Sequence, residues 1–269
     1  MDMKIIYTPR GKALEYAPLA CNLYFGCPHS CAYCFGPTLP NPAKKGLTME
    51  EWRREWHSKT VEKPDSLAKL ESDLSAMANK RDTRPVLLCF ACDPYPPDEP
   101  KKITRAALAA FEHHGFKPII LTKGGTRACR DFDILKAAGG WFGQTISLRF
   151  PRSKEWEPNA ASIVDRYVAF DKALNNGIPT WASIEPVICT DDALNNISNL
   201  VVTNMVSHFK LGKLSGYDKE TKAIEKSINW PEYREAAREI LNGDGYKEIT
   251  TPGAFEAGTY YVKQELRDA

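Results

Sequence analysis

Six short apolar runs, each followed by a turn and an amphipathic stretch, predict an α/β fold built on a parallel sheet. Two further observations narrow the class to a partial (β/α)6-type barrel. The alternation is regular from about residue 18 to 215, and no GxGxxG follows the first strand, as a dinucleotide-binding sheet would require. No stretch rich in Pro, Gly or Ser marks a second domain, so residues 1–269 are expected to form one domain. Its last part, 216–269, is read as a closing helix and extension.

The elements follow in order. LACNLYFG (19–26) reads as the first strand, and a cysteine-rich loop comes directly after it. In SLAKLESDLSAMAN (66–79), Leu67, Leu70, Leu74 and Met77 recur at steps of three and four, which predicts a helix. PVLLCFACDPYPP (85–97) is the second strand, ended by prolines, and TRAALAAFEHHG a helix closed by Gly115. KPIILTKGG, FGQTISLRF, IPTWASIEPVI and NMVSHFKLGK supply strands three to six. RACRDFDILKAAGG and NAASIVDRYVAFDKALNNG are the helices after strands three and four, and the tail from WPEYREAAREIL to YYVKQEL is a helix plus a short closing element.

Composition limits the function classes. With 43% hydrophobic and 26% charged residues, disorder is not the expectation, and a net charge of +2 with a pI near 8.0 selects no partner. No apolar run suits a signal peptide or a membrane span, so a cytoplasmic location is expected. In such a reducing compartment the eight cysteines are not expected to form a disulfide framework. Barrels of this class open to ligands at the C-terminal ends of their strands, which here carry CDPY, LTKGG, SLR, SIEP and KLGK.

Four of the eight cysteines fall between Cys21 and Cys34, beside Gly26, Pro28 and Pro37. Three readings stand. The cysteines are small core residues; or they form a structural zinc site from Cys21, Cys27, Cys31 and Cys34 or His29, although no second ligand pair follows downstream; or Cys27-x-x-x-Cys31-x-x-Cys34 holds an iron–sulfur cluster with three thiolates. In the last case Cys21, inside the predicted strand, is a poor fourth ligand, and one iron stays open to an exogenous group. A non-catalytic, zinc-stabilised nucleic-acid-binding module is the rival of another class. A colourless protein would mark it, a brown one the cluster.

CxxxCxxC after the first strand of a partial barrel, with an aromatic, Tyr33, before its last cysteine, resembles the signature of the radical S-adenosylmethionine (SAM) superfamily. The resemblance implies a [4Fe-4S] cluster on Cys27, Cys31 and Cys34, SAM on the open iron, a 5′-deoxyadenosyl radical as product, and an electron donor such as flavodoxin or ferredoxin. It further implies that Tyr33 touches adenine through its backbone. NLYFGCPHSCAYCFGP, CDPYPPDEPKKIT, IILTKGGTRACRDFDIL, SIEPVI and YYVKQEL resemble the spore photoproduct lyase-like branch, over roughly residues 18 to 265. By that likeness Cys92 returns a hydrogen atom to substrate, where many relatives have serine or threonine. By the same likeness and the basic loop, a nucleic acid or modified base leads as substrate, with a small molecule or peptide as the alternative; the lyase's additional N-terminal region has no counterpart here, which counts against a DNA lesion as that substrate.

The remaining candidates follow from chemistry. A thiol S–H bond is weak enough to quench a carbon radical, and Tyr95 is placed to relay the hole. Cys89 and Cys92, three residues apart, face opposite sides of a continuing strand. SAM brings a carboxylate, an ammonium and a ribose diol. Lys123 and Arg149 suit the carboxylate, Ser147 shares the face of Arg149, Glu185 suits the ammonium or a hydroxyl, and Asp93 and Lys210 complete the strand-end set. Basic pairs at 44–45, 53–54 and 101–102 are ordinarily solvated. The first pair, joined with Trp52, Trp56 and His57, is the candidate nucleic-acid-binding edge.

Overall fold

The computed structural model describes residues 5–39, 46–99, 102–216 and 218–269. Its main sheet has nine strands: β1 (Ile6–Tyr7), β2 (Leu19–Cys21), β5 (Val86–Leu88), β6 (Pro118–Thr122), β7 (Trp141–Thr145), β8 (Thr180–Ile184), β9 (His208–Leu211), β10 (Lys247–Ile249) and β11 (Thr259–Val262). The order is β1-β2-β5-β6-β7-β8-β9-β11-β10, and every neighbouring pair is parallel except β1 with β2. A small antiparallel pair, β3 (Tyr24–Phe25) and β4 (Val61–Glu62), stands apart. The helices are α1 (Met49–Ser58), α2 (Ser66–Asn79), α3 (Ile103–His113), α4 (Phe132–Ala137), α5 (Arg152–Trp156), α6 (Ile163–Asn175), α7 (Thr190–Val202), α8 (Lys219–Ser227), α9 (Trp230–Gly243) and α10 (Gln264–Arg267). None of the described helices is long and apolar enough to cross a membrane.

The six predicted strands are β2 and β5 to β9, in the predicted order. The tail, expected as a helix plus a short closing element, supplies α9 and then β11 directly beside β9, with Tyr261 opposite Lys210. Its Thr-Tyr-Tyr-Val run is buried throughout, as a parallel strand covered on both faces should be. α2 spans the predicted 66–79, with Leu70 and Leu74 fully buried. The helix predicted at 127–140 divides into a 3-10 turn (Gly125–Asp131) and the short α4. α7 was not predicted: its apolar positions Ala193, Ile197, Leu200 and Val201 are buried, but three asparagines and two aspartates dilute the pattern.

Alternation along the strands builds two cores. Val86, Leu88, Ile120, Phe142, Ala182 and Phe209 face the helices, while Leu87, Ile119 and Trp181 fill the barrel interior with Tyr16 and Ala17. Gly143 is required by that interior, because any side chain there would occupy the space of the Trp181 ring. The segment around Glu15 and Tyr16 crosses from β2 to the other edge of the sheet. Glu15 accepts from the Tyr261 hydroxyl (3.0 Å) and the Gln264 N–H (2.6 Å), and Lys210 Nζ donates to the Glu15 and Tyr16 carbonyls (2.9 Å each).

Candidate active site at the strand ends

The strands end where the sequence turns polar. Cys89, Lys123, Glu185 and Lys263 each directly follow a strand, and all four line one cavity of about 470 Å³. The cavity also takes in Cys27, Cys31, Tyr33 and Cys34 from the loop after β3. That volume is in the range of cofactor and small-ligand sites, roughly 300–1,000 Å³.

The cysteine loop has little regular structure, so its shape depends on what grips it. The Cys27 N–H donates to the Trp56 carbonyl (2.9 Å), and His57 Nδ1 donates to the Cys27 carbonyl (2.9 Å). Arg53 bonds the Ala32 and Cys34 carbonyls (3.1 and 3.3 Å). From the far side, the Ala32 N–H donates to Trp156 O (2.9 Å) and the Asn159 N–H to His29 O (3.2 Å). Gly26 leads into the loop with φ +75°, and a side chain there would run into the Lys59 carbonyl. α1, which supplies Arg53, Trp56 and His57, is set by a capping box between Thr48 and Glu51.

Trp52 and Trp56 are therefore not an exposed stacking edge. Both are buried, and Trp52 Nε1 donates to Pro37 O (2.9 Å). The helix turns its aromatics inward to support the loop, which overturns the expected nucleic-acid edge at that face. The basic pair 44–45 and Lys101 lie outside the described residues.

Asp93 is a structural hub. Oδ1 accepts from the Thr122 hydroxyl (2.5 Å) and the Tyr95 N–H (2.8 Å), and Oδ2 from the Lys123 N–H (2.7 Å), with His29 Nδ1 at 3.4 Å. Burial alone would raise this carboxyl. The interaction with His29, then the hydrogen bonds from the Lys123 N–H and the Thr122 hydroxyl, outweigh it and hold the group well below the usual carboxylate range. His29 Nε2 meets Arg127 (2.7 Å), an obligate donor, so the imidazole proton is on Nδ1, toward Asp93. Both ring nitrogens are thus engaged, which leaves His29 no lone pair for zinc.

The loop thiols are all pushed up by burial: Cys31 to about 12, Cys27 well above its ordinary range, and Cys34 upward. Lys123 opposes this at Cys31 and Cys34. Its ammonium lies 5.3 Å above the Tyr33 ring, where Cys31 and Glu157 outweigh the burial that would lower it. Behind Tyr33, its hydroxyl donates to Glu157, which pairs with Arg166. Both charged side chains are 1% exposed, and Arg166 also donates to Thr145 O (2.9 Å) and Ala161 O (3.0 Å). Among the described residues no three His, Cys, Asp or Glu side chains are gathered closely enough for a single ion. A cubane distributes its ligands over separate irons, so three thiols on one cavity wall fit a cluster better than a mononuclear zinc site.

Other predicted residues lie elsewhere. β7 ends at Thr145, so Ser147 and Arg149 do not share a strand face: Ser147 is buried with an unpaired hydroxyl, and Arg149 is exposed with its N–H on Asp192 (3.1 Å). Tyr95 is fully buried behind the cavity wall. Lys210 is inside the barrel, held by the Glu15 and Tyr16 carbonyls, and burial pushes its ammonium well down. Cys89 and Cys92 do not face opposite ways. β5 stops at Leu88, Cys89 takes φ +62°, and both thiols line the cavity.

Sequence reasoning missed Tyr16 and Lys263. The Tyr16 hydroxyl donates to Glu185 (2.5 Å) and meets Ser183 Oγ (3.0 Å), while Lys263 Nζ bonds both Glu185 oxygens (2.8 and 2.9 Å). A lysine opening the C-terminal KQEL carried no local signal for this role.

Solved structures share this arrangement of strands and helices. A point variant of spore photoproduct lyase superposes with a TM-score of 0.67 at 14% identity, over 97% of this chain and 79% of that one. The fold matches that of spore photoproduct lyase. Another variant of the lyase, with bound AdoMet and dinucleoside spore photoproduct, gives 0.61 at 14% identity over 91% of this chain and 76% of that one. SuiB from Streptococcus suis, bound to S-adenosylmethionine, gives 0.60 at 11% identity over 91% of this chain and 49% of SuiB. These neighbours are radical SAM enzymes. By sequence, no family model and no curated protein matches the chain.

Proposed function

We propose that this chain is a radical SAM enzyme whose cavity holds a [4Fe-4S] cluster on Cys27, Cys31 and Cys34. One observation carries the reading: three loop thiols and the polar ends of successive parallel strands open onto a single cavity of about 470 Å³. When bound, the cluster would supply the electron that splits SAM into methionine and a 5′-deoxyadenosyl radical.

The chain's own residues then have distinct tasks. Lys123, the cation beside Cys31 and Tyr33, suits the methionine carboxylate. Glu185 accepts three hydrogen bonds from Tyr16 and Lys263, which leaves Oε1 one further acceptor site for a ribose hydroxyl or the ammonium. Asp93 serves as a positioning residue, fixing the Lys123 backbone and His29. Cys92 is the candidate hydrogen donor: its Sγ–H donates to Tyr24 O at 3.5 Å, and its pKa is raised well above the ordinary value by the Cys89 contact and by burial, so it keeps its proton at neutral pH. A low-potential donor such as flavodoxin or ferredoxin would deliver the electron.

For substrate, a nucleobase or nucleic acid is favoured. The mouth combines Phe35 and Phe90 with Arg10 and Lys12, surfaces that stack a base and attract phosphate, and a lyase neighbour is bound to dinucleoside spore photoproduct. A peptide is the second reading, because SuiB is also known bound to its precursor peptide SuiA.

The test is anaerobic purification and reduction. A brown protein that converts SAM to 5′-deoxyadenosine supports the reading; a colourless one, or a coloured one inert toward SAM, overturns it.

A further inference from the structure

The strand-end turn after β5 brings two thiols together that a continuing strand would have kept apart. Cys89-Phe-Ala-Cys92 starts with a non-glycine residue at φ +62°, a conformation that costs free energy and that the surroundings must enforce. The Cys89 N–H donates to Cys21 O (2.7 Å), which anchors the turn to β2. Cys89 and Cys92 stand at Cys-x-x-Cys spacing on this one turn, and the Cys92 thiol donates to Tyr24 O at 3.5 Å. Both side chains reach the same cavity as the loop cysteines. Neither belongs to the proposed cluster ligand set.

We propose that Cys89 and Cys92 form a reducing dithiol, in which Cys92 gives a hydrogen atom to a radical in the cavity and Cys89 then closes on it as a disulfide. The hydrogen-donor half of this proposal rests on the radical reading above, whereas the dithiol itself does not. The steps balance. A carbon-centred radical takes H• from Cys92 S–H, which leaves a thiyl. The Cys89 thiol adds to that sulfur, losing its proton to solvent, and the S–S bond forms with one surplus electron. That electron passes to an oxidised one-electron carrier of the ferredoxin class, leaving a neutral disulfide. A thioredoxin-class dithiol then restores both S–H groups by exchange. A second thiol on the same turn and the same cavity wall thus turns a transient thiyl into a recoverable bond, which an isolated cysteine cannot do.

The experiment is a thiol–disulfide titration of the full chain, cluster-loaded and anaerobic, in reduced and oxidised glutathione, with alkylation and peptide mass mapping. The exchange is one oxidised glutathione for two reduced ones per protein disulfide. The expected result is loss of two hydrogens from the peptide containing Cys89 and Cys92, both thiols leaving together. In Cys89→Ser, Cys92 should gain one glutathione instead. The proposal is overturned if Cys92 takes up glutathione alone in the unmodified chain, if it pairs with Cys34, or if both thiols stay reduced while the half-buried Cys189 becomes glutathionylated. Because the unmodified chain carries the main readout, a variant that fails to fold does not remove the test. SAM cleavage scored on the same preparation separates the two readings: cleavage lost with the disulfide formed sinks the radical enzyme alone, and cleavage kept with no disulfide sinks the dithiol alone.

Discussion

The two walls of the cavity are built on opposite principles. The ionic wall, from the C-terminal third and the 15–16 segment, has its charge paired within the protein: Glu185 is bound by Tyr16 and Lys263. The thiol wall, from the first hundred or so residues, carries Cys27, Cys31, Cys34, Cys89 and Cys92, and burial contributes to raising the pKa of each loop cysteine and of Cys92. One wall arrives with its charges compensated. The other is neutral protein surface that becomes anionic only when a positive centre such as iron is supplied. The difference teaches that stability and reactivity are separated across the cavity, so mutations on the two sides should fail in different ways.

The largest contrast is expected from Cys31→Ala, on the thiol wall. Visible absorption of anaerobically loaded protein and SAM cleavage should both drop to background, with an unchanged far-ultraviolet circular dichroism spectrum. Cleavage that survives would remove Cys31 from the ligand set. Behind the same wall, Glu157→Gln leaves Arg166 buried without its counter-charge, and the urea midpoint should fall by an amount equivalent to about 3–5 kcal/mol. An unchanged midpoint would show that the pair is not what fixes Tyr33.

On the ionic wall, Lys263→Met should cost about 1–3 kcal/mol, since Glu185 loses two hydrogen bonds while keeping the one from Tyr16. Cluster colour should survive this change; its loss would erase the division between the walls. Cys92→Ala should leave both cluster loading and 5′-deoxyadenosine formation intact and change only the distribution of substrate products. Identical products would reduce Cys92 to packing.

The smallest effect is a pH slope. His208, on the same face of β9 as Lys210, is pushed down to about 3 by burial and by the Lys210 charge. Unfolded histidine titrates near about 6.5, so between those values the unfolded state binds the extra proton. The stability from His208 is therefore complete above about pH 6.5 and declines as pH falls toward 3. His208→Gln should flatten that part of the curve, and an unaltered slope would assign it to carboxylates.

Much of the fold and part of the site were legible. The barrel strands announced themselves because buried parallel strands read as apolar runs, and the cysteine loop because its spacing lies within eight residues, Cys27 to Cys34. Lys123, Glu185 and Cys92 were legible as strand-end residues. Ser147, Arg149 and Lys210 misled because the sequence does not mark where a strand stops. β7 ends two residues before Ser147, and Lys210 is still inside β9. Trp52 and Trp56 misled because a basic surface helix with aromatics has the same composition whichever face carries the rings.

By itself, then, the sequence determined the order of strands, the thiol loop and the positions where chain turns polar, since these depend on spacings of two, three or four residues. Only the tertiary structure decided the partners. Tyr16 reaches Glu185 across 169 positions, and Glu15 reaches Tyr261 across 246. A buried charge or hydroxyl is stable only where its counterpart arrives through space, and no local pattern encodes that meeting. The left-handed turn at Cys89 belongs to the same class: it exists because the neighbouring strand holds it, and it is what brings two thiols to one cavity.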